Sequence, residues 1–254
     1  MITNPALLTL TLTDLTSLNN DDSKASISQL CRQALTPFGS PAALCVYPEW
    51  ITWARLELDR LALTAVKIAT VTNFPAGSID VERAAAETMR AAAAGADEID
   101  VVFPYQALLN GDEVSGGDLV QRCKQACGGS AKLKVIIESG MLKSPELIRQ
   151  ASMIAITNGA DFIKTSTGKV AVNATLSAAE IMLQAIRDSQ AKVGFKAAGG
   201  VRTVADARAY LELAERMMGL DWLTADNFRF GASGLLQQVI AELSGHTKAP
   251  AEGY

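Results

Sequence analysis

The sequence predicts a single-domain α/β fold, a (β/α)8 barrel, and three observations carry that expectation. The chain has 254 residues, close to the roughly 250 that a closed barrel of this kind typically needs. Short apolar, β-rich runs alternate with helix-forming stretches from one end to the other. No Pro/Ser-rich linker or shift in composition divides the chain, so one domain over residues 1–254 is expected, with a short flexible tail from about residue 245. An open doubly wound sheet is the main rival, but the Gly-x-Gly-x-x-Gly turn expected after its first strand is absent.

In chain order the candidate strands are Leu10–Thr16, Ala43–Tyr47, Val66–Thr72, Glu98–Phe103, Leu133–Glu138, Asp161–Ser166, Val193–Ala197 and Phe228–Ala232. Several are nearly continuous hydrophobic runs, the pattern of parallel strands covered on both faces. Helix punctuation falls between them. Asp80 and Glu82 open an Ala-rich helix that closes at Gly95, their charge favourable to its dipole. Ser144-Pro145 supplies an N-cap and a proline at the first helical position, and Gly159 ends that helix. Ser177-Ala-Ala-Glu180 has capping-box spacing, and Thr203 and Gly219 bracket a further helix. Gly95-Ala-Asp97 and Gly159-Ala-Asp161 are echoes of one αβ connection, glycine suiting the left-handed position after a helix.

Composition removes several functions. With 49% hydrophobic and 20% charged residues, the chain has the balance of an ordinary globular protein, able to bury a core without disulfide or metal staples. A formal net charge of −4 argues against nucleic acid or an anionic membrane as partner, while leaving room for a local positive pocket. The four cysteines, Cys31, Cys45, Cys123 and Cys127, are scattered, and no apolar segment reaches the roughly 20 residues of a membrane helix. A reduced cytoplasmic setting is expected. The single histidine, His246, cannot build a His-rich zinc site or a Ser–His–Asp triad at the barrel mouth, so no metal and no cofactor is expected.

In such a barrel the active site sits at the C-terminal strand ends. Four reactive side chains fall there: Asp14, Asp100, Lys164 and Lys196. The two lysines occupy similar places in successive strands, Phe-Ile-Lys-Thr and Gly-Phe-Lys-Ala. Adjacent parallel strands lie about 4.8 Å apart. Mutual repulsion and desolvation would then leave one amine neutral and nucleophilic, as Schiff-base chemistry requires. Spacing does not say which. Asp100 interrupts the run Ile99–Phe103 and offers a counter-charge or a proton relay; Asp14 is a weaker case of the same kind. Glycine-bearing loops follow the last three strands: Ser166-Thr167-Gly168-Lys169, Ala198-Gly199-Gly200-Val201-Arg202-Thr203 and Gly231-Ala232-Ser233-Gly234. Loops after the last two strands of such barrels commonly hold phosphate on backbone amides, with Lys169 and Arg202 adding charge at the rim. A pyridoxal-phosphate enzyme or a sugar-phosphate sensor also fits lysine plus phosphate cradle; the sensor leaves the lysine pair without a task.

At these residues the chain resembles the 2-deoxyribose-5-phosphate aldolases. The matching segments are Asp14-Leu-Thr16, Ala43–Pro48, Ala69–Pro75, Gly95–Pro104, Lys134–Glu138, Asp161–Lys169 and Gly194-Phe-Lys196. The resemblance implies a (β/α)8 barrel and reversible cleavage of 2-deoxy-D-ribose 5-phosphate to acetaldehyde and D-glyceraldehyde 3-phosphate. It implies Lys164 as the Schiff-base lysine, Lys196 as the neighbour lowering its pKa, and Asp100 as acid/base partner. It further implies substrate contacts from Asp14, Thr16, Cys45, Thr167, Gly168, Lys169, Gly199, Gly200, Val201, Arg202, Gly231, Ser233 and Gly234, with Tyr254 assisting proton transfer. It implies a homodimer acting on a phosphorylated sugar and aldehydes. Two departures stand out. Ala197 replaces the family's usual proline after the second lysine, which is expected to loosen that loop, and Gly234 replaces a serine that would donate to phosphate. Cys45, at a strand end beside the presumed site, is an expected target of reactive aldehydes.

Overall fold

Among the described residues, 2–246 of this computed structural model, eight parallel strands close into a barrel in chain order. They are β1 (Thr13–Thr16), β2 (Ala43–Val46), β3 (Lys67–Thr72), β4 (Glu98–Val102), β5 (Lys132–Ile136), β6 (Phe162–Lys164), β7 (Gly194–Ala198) and β8 (Phe228–Ala232). The helices are α1 (Pro5–Thr11), α2 (Lys24–Gln33), α3 (Ile51–Arg60), α4 (Val81–Ala93), α5 (Tyr105–Leu109), α6 (Val114–Ala126), α7 (Ser139–Leu142), α8 (Pro145–Thr157), α9 (Leu176–Ser189), α10 (Val204–Met218) and α11 (Leu235–Leu243). None among the described residues is long and apolar enough to cross a membrane.

Period-two alternation along the strands separates two environments. Leu44, Ile68, Ile99, Val101, Leu133, Val135, Ile163, Phe195 and Phe228 join the buried faces of the helices in one large apolar cluster. Their neighbours Ala43, Cys45, Ala69 and Val71 form a separate small cluster with Leu18, edged by Tyr47 and Phe74. Ion pairs joining β4 to β7 and β8, which are not neighbours in the sheet, place the other inward residues across the lumen. The lumen therefore has a wall of small apolar side chains on β2 and β3. The opposite wall carries charge.

The helix signals operate largely as expected. Asp80 caps α4 by accepting from Arg83 N, Ser144 caps α8, and Thr203 and Asp206 form a reciprocal capping box on α10. The repeated αβ connection has a shared mechanism. Gly95 (φ 97°) and Gly159 (φ 99°) turn the chain. The carboxylates of Asp97 and Asp161 then accept the amides of Ile68 and Leu133, each at the start of the preceding strand (2.8 and 2.7 Å).

Three expectations need correction. The first strand does not begin at Leu10, because Asn4 accepts from Leu7 N and Pro5 occupies the first helical turn, so residues through Thr11 form α1. Ser177 caps nothing: the N-cap of α9 lies two residues earlier, at Thr175, which accepts from Ala178 N. Ala197 lies within β7, paired with Phe230, so its loss of a proline ring does not loosen a loop; the strand ladder holds it. The tail beyond His246, with Tyr254, lies outside the described residues.

Candidate active site

Lys164 and Lys196 are direct register partners on β6 and β7. Their ammonium nitrogens converge on one oxygen, Asp100 Oδ2, at 2.7 and 2.8 Å. Beneath them the charges continue. Lys196 also donates to Asp14 Oδ2 at 2.5 Å. Lys134 meets Glu98 at 2.5 Å, Asp100 Oδ1 at 3.0 Å and Asp14 at 3.5 Å. Arg229 donates to Asp14 Oδ1 at 2.6 Å and grips Glu98 through both terminal nitrogens, at 2.7 and 3.1 Å. Glycine makes room for this packing: a Cβ on Gly231 would stand 3.0 Å from both Lys196 Cε and Ala198 Cβ.

The seven groups are not charge-matched if all are ionised. Three carboxylates (Asp14, Glu98, Asp100) face three cations held by two or more carboxylates each (Lys134, Lys196, Arg229). Lys164 is the fourth cation, with a single carboxylate contact. Burying an excess charge is costly, so the least-paired amine is the one that gives up its proton. The pKa directions agree. Burial pushes Lys164 down, opposed by Asp100 and reinforced by Lys196. Burial acts the same way on Lys134 and Lys196, but Asp100 and its fellow carboxylates outweigh it and hold both up. Burial alone would raise Asp14 and Asp100, yet the lysines around them, with Arg229 beside Asp14, keep both carboxylates low. The two lysines that spacing left equivalent are thus distinguished by their partners. Desolvation is the larger influence on Lys164, and the charge of Lys196 the smaller.

Above this lattice opens a cavity of about 640 Å³, and Lys164 lies on its wall. Of the expected contacts, Thr16, Thr167, Gly168, Lys169, Gly199, Gly200, Val201, Arg202, Gly231, Ser233 and Gly234 line it. Asp14, Asp100, Lys196 and Cys45 do not; all four are fully buried below or beside it. The Cys45 thiol is enclosed, and burial pushes its pKa up, which disfavours the thiolate that would attack an aldehyde.

The far end of the cavity is built for an anion. The amides of Gly168, Gly200, Val201, Ser233 and Gly234 have no acceptor among the described residues. Gly234 caps α11 with no side-chain bond, leaving the first-turn amides of that helix open beside Ser233. Lys169 spans the mouth and donates to Leu18 O at 2.7 Å. A buried amine whose pKa is lowered at one end and an anion cradle at the other suit a phosphorylated carbonyl compound.

Sequence reasoning passed over Glu98, Lys134 and Arg229, and the lining residues Leu18, Asn19, Asn173, Leu235, Gln237 and Gln238. The buried three left a signal. Lys134 and Arg229 each stand between two apolar strand residues, in Leu133-Lys-Val135 and Phe228-Arg-Phe230, the pattern of an inward-facing ion, while Glu98 follows Asp97 and has only the apolar run after it as a signal.

Comparison with known proteins places these features in context. Residues 8–234 match the family described as DeoC/LacD family aldolase. Among solved structures, the chain is similar to a provisionally named deoxyribose-phosphate aldolase from Toxoplasma gondii ME49 (23% identity, TM-score 0.87, 96% of each chain covered). It is also similar to one so named from Coccidioides immitis (27% identity, TM-score 0.80, covering 94% of this chain and 87% of that one). A third likeness is to the tetrameric deoxyribose phosphate aldolase from Aeropyrum pernix (23% identity, TM-score 0.77, covering 97% and 94%).

Proposed function

Since the chain belongs to the DeoC/LacD family of aldolases over residues 8–234, we propose that it reversibly cleaves 2-deoxy-D-ribose 5-phosphate to acetaldehyde and D-glyceraldehyde 3-phosphate through a Schiff base on Lys164. One observation carries the choice of nucleophile: Lys164 is the lattice cation with a single ion-pair contact, where the others have two or more, and it faces the cavity. The anion cradle and the names of the similar structures support the substrate.

The sequence of steps keeps the lattice neutral at every stage. Neutral Lys164 adds to the C1 aldehyde of the open-chain sugar to give a carbinolamine. Its hydroxyl leaves as water on taking a proton from Lys196, so a positive iminium forms as Lys196 becomes neutral. Neutral Lys196, through a water, accepts the C3 hydroxyl proton while the C2–C3 electron pair moves toward the iminium. Glyceraldehyde 3-phosphate departs, leaving an enamine beside a recharged Lys196. Lys196 then returns the proton to the enamine carbon, and water releases acetaldehyde. Asp100 stays ionised throughout; it orients both lysines and stabilises their cationic forms, a narrower role than that of a proton carrier. A cytoplasmic homodimer is the expected working form.

Borohydride reduction with acetaldehyde, followed by peptide mapping, tests this. An adduct on the 162–168 peptide supports the assignment. An adduct at Lys196 alone reverses the lysine roles, and no adduct in an enzyme that cleaves the sugar refutes the Schiff base.

A further inference from the structure

Glu138 takes no part in the steps above, yet it is fully buried at the end of β5 and its backbone is left-handed (φ 55°, ψ 56°). The strand ladder continues on either side of it, Ile137 N donating to Lys164 O at 3.0 Å and Ser139 N to Thr165 O at 2.9 Å. The left-handed residue between them swings its carboxylate toward the loop after β6. Both oxygens accept there from Thr167 N–H, at 3.2 and 3.3 Å. Thr167 Oγ1 in turn accepts from Lys169 N at 3.0 Å. Two amides of this turn are thus held by internal acceptors. Only that of Gly168, at φ 84°, stays open for a ligand. Gly140 locks the same two loops together, since a Cβ there would run into the carbonyl of Val172.

We infer that Glu138 is a positioning residue: it fixes the Thr167–Gly168–Lys169 turn so that the Gly168 amide faces the substrate's phosphate, and it sets phosphate affinity without setting the reactivity of Lys164. The inference rests on the reading of the reaction above. A carboxylate near a phosphate would repel it, so the benefit must come from geometry. Among the described residues the one cation bearing on Glu138 is Lys164, from β6, and the carboxylate's hydrogen bonds come from Thr167. A role in tuning Lys164 is therefore the alternative to exclude.

Glu138→Ala and Glu138→Gln separate the two. Four readouts are needed: kinetics on 2-deoxyribose 5-phosphate, kinetics on unphosphorylated 2-deoxyribose, borohydride trapping of acetaldehyde against pH, and the Kd for inorganic phosphate by calorimetry. Glu138→Ala should raise KM for the phosphorylated sugar about tenfold, the scale of one lost hydrogen bond to a charged group. It should weaken inorganic phosphate by a like factor. The trapping midpoint and the unphosphorylated reaction should change less than about twofold. Glu138→Gln keeps one acceptor oxygen and should show a smaller loss with the same selectivity; it decides the matter if Glu138→Ala does not fold. An equal loss on both sugars, a shifted trapping midpoint, or unchanged phosphate affinity in either folded variant would overturn the inference. A wild-type protein that neither traps acetaldehyde nor cleaves the sugar would sink the reaction instead, and the phosphate measurement would still judge Glu138.

Discussion

Replacing Lys196 with methionine should make Lys164 harder to deprotonate, by an amount that follows from distance. Both ammonium nitrogens bond to Asp100 Oδ2, at 2.7 and 2.8 Å, so they are at most about 5.5 Å apart. At an effective dielectric of about 20, two unit charges at that separation repel by about 3 kcal/mol, or roughly two pKa units. Removing the Lys196 charge removes that repulsion. It also leaves three carboxylates facing two matched cations, a vacancy that protonated Lys164 fills. The Lys164 pKa therefore rises, and the neutral amine becomes populated only at higher pH. Borohydride trapping of acetaldehyde, measured as an initial rate across pH, should show its midpoint displaced upward by about two units; alkali recovers the part of the loss due to Lys164 protonation, and the part due to the missing Lys196 proton persists at every pH. Lys196→Arg retains the cation and should leave the midpoint near its wild-type place. A Lys196→Met profile lowered uniformly, with no displacement, would refute the electrostatic account and leave Lys196 as a proton carrier alone. Because an uncompensated buried charge costs roughly 3–5 kcal/mol, a melting curve must accompany the assay.

Gly234→Ser should fold normally, since a Cβ there meets nothing within 4 Å, and its hydroxyl should tighten phosphorylated over unphosphorylated deoxyribose by about tenfold; an unchanged ratio of kcat/KM values would show that the hydroxyl does not reach the phosphate. Gly231→Ala pushes against Lys196 Cε and Ala198 Cβ, and should cost about 1–3 kcal/mol in chemical denaturation together with a fall in kcat. Full activity with unchanged stability would contradict the packing described. Cys45→Ala should leave the rate of inactivation by added acetaldehyde unaltered, because the thiol is buried; clear protection would show that the thiol becomes accessible in solution.

Much of the barrel was legible because its outward strand faces are apolar and its helices carry capping signals that work locally. Ser144-Pro145, Asp80 and Thr203 each cap their own helix without help from elsewhere in the chain. The first strand failed for the same local reason: Asn4-Pro5 is a stronger instruction than the alternation in Leu-Thr-Leu-Thr. The paired lysines were legible from their equivalent strand positions. Their inequivalence was not, since it depends on which carboxylates reach across the lumen. Asp100 touches three lysines from β5, β6 and β7, and no spacing in the sequence reports that. Glu138 was hidden differently. Its function lies in a backbone turn and two hydrogen bonds to an amide, neither of which leaves a mark in residue type.

The charged wall of the lumen also constrains how this protein can vary. Each member of the lattice except Lys164 touches at least two partners, so no single exchange of a charged residue for a neutral one is contained at its own site. Glu98→Gln strips a carboxylate from Lys134 and Arg229 together, and since Lys164 has already given up its proton, the surplus positive charge stays on the remaining cations of the lattice. Sequence drift at these positions should therefore be strongly epistatic. Glu98→Gln with Lys134→Met, which removes one charge of each sign, should cost less stability than the two single changes added together. A nucleophile selected by the parity of its surroundings is protected against most neutral exploration, but a compensated pair of changes can pass through.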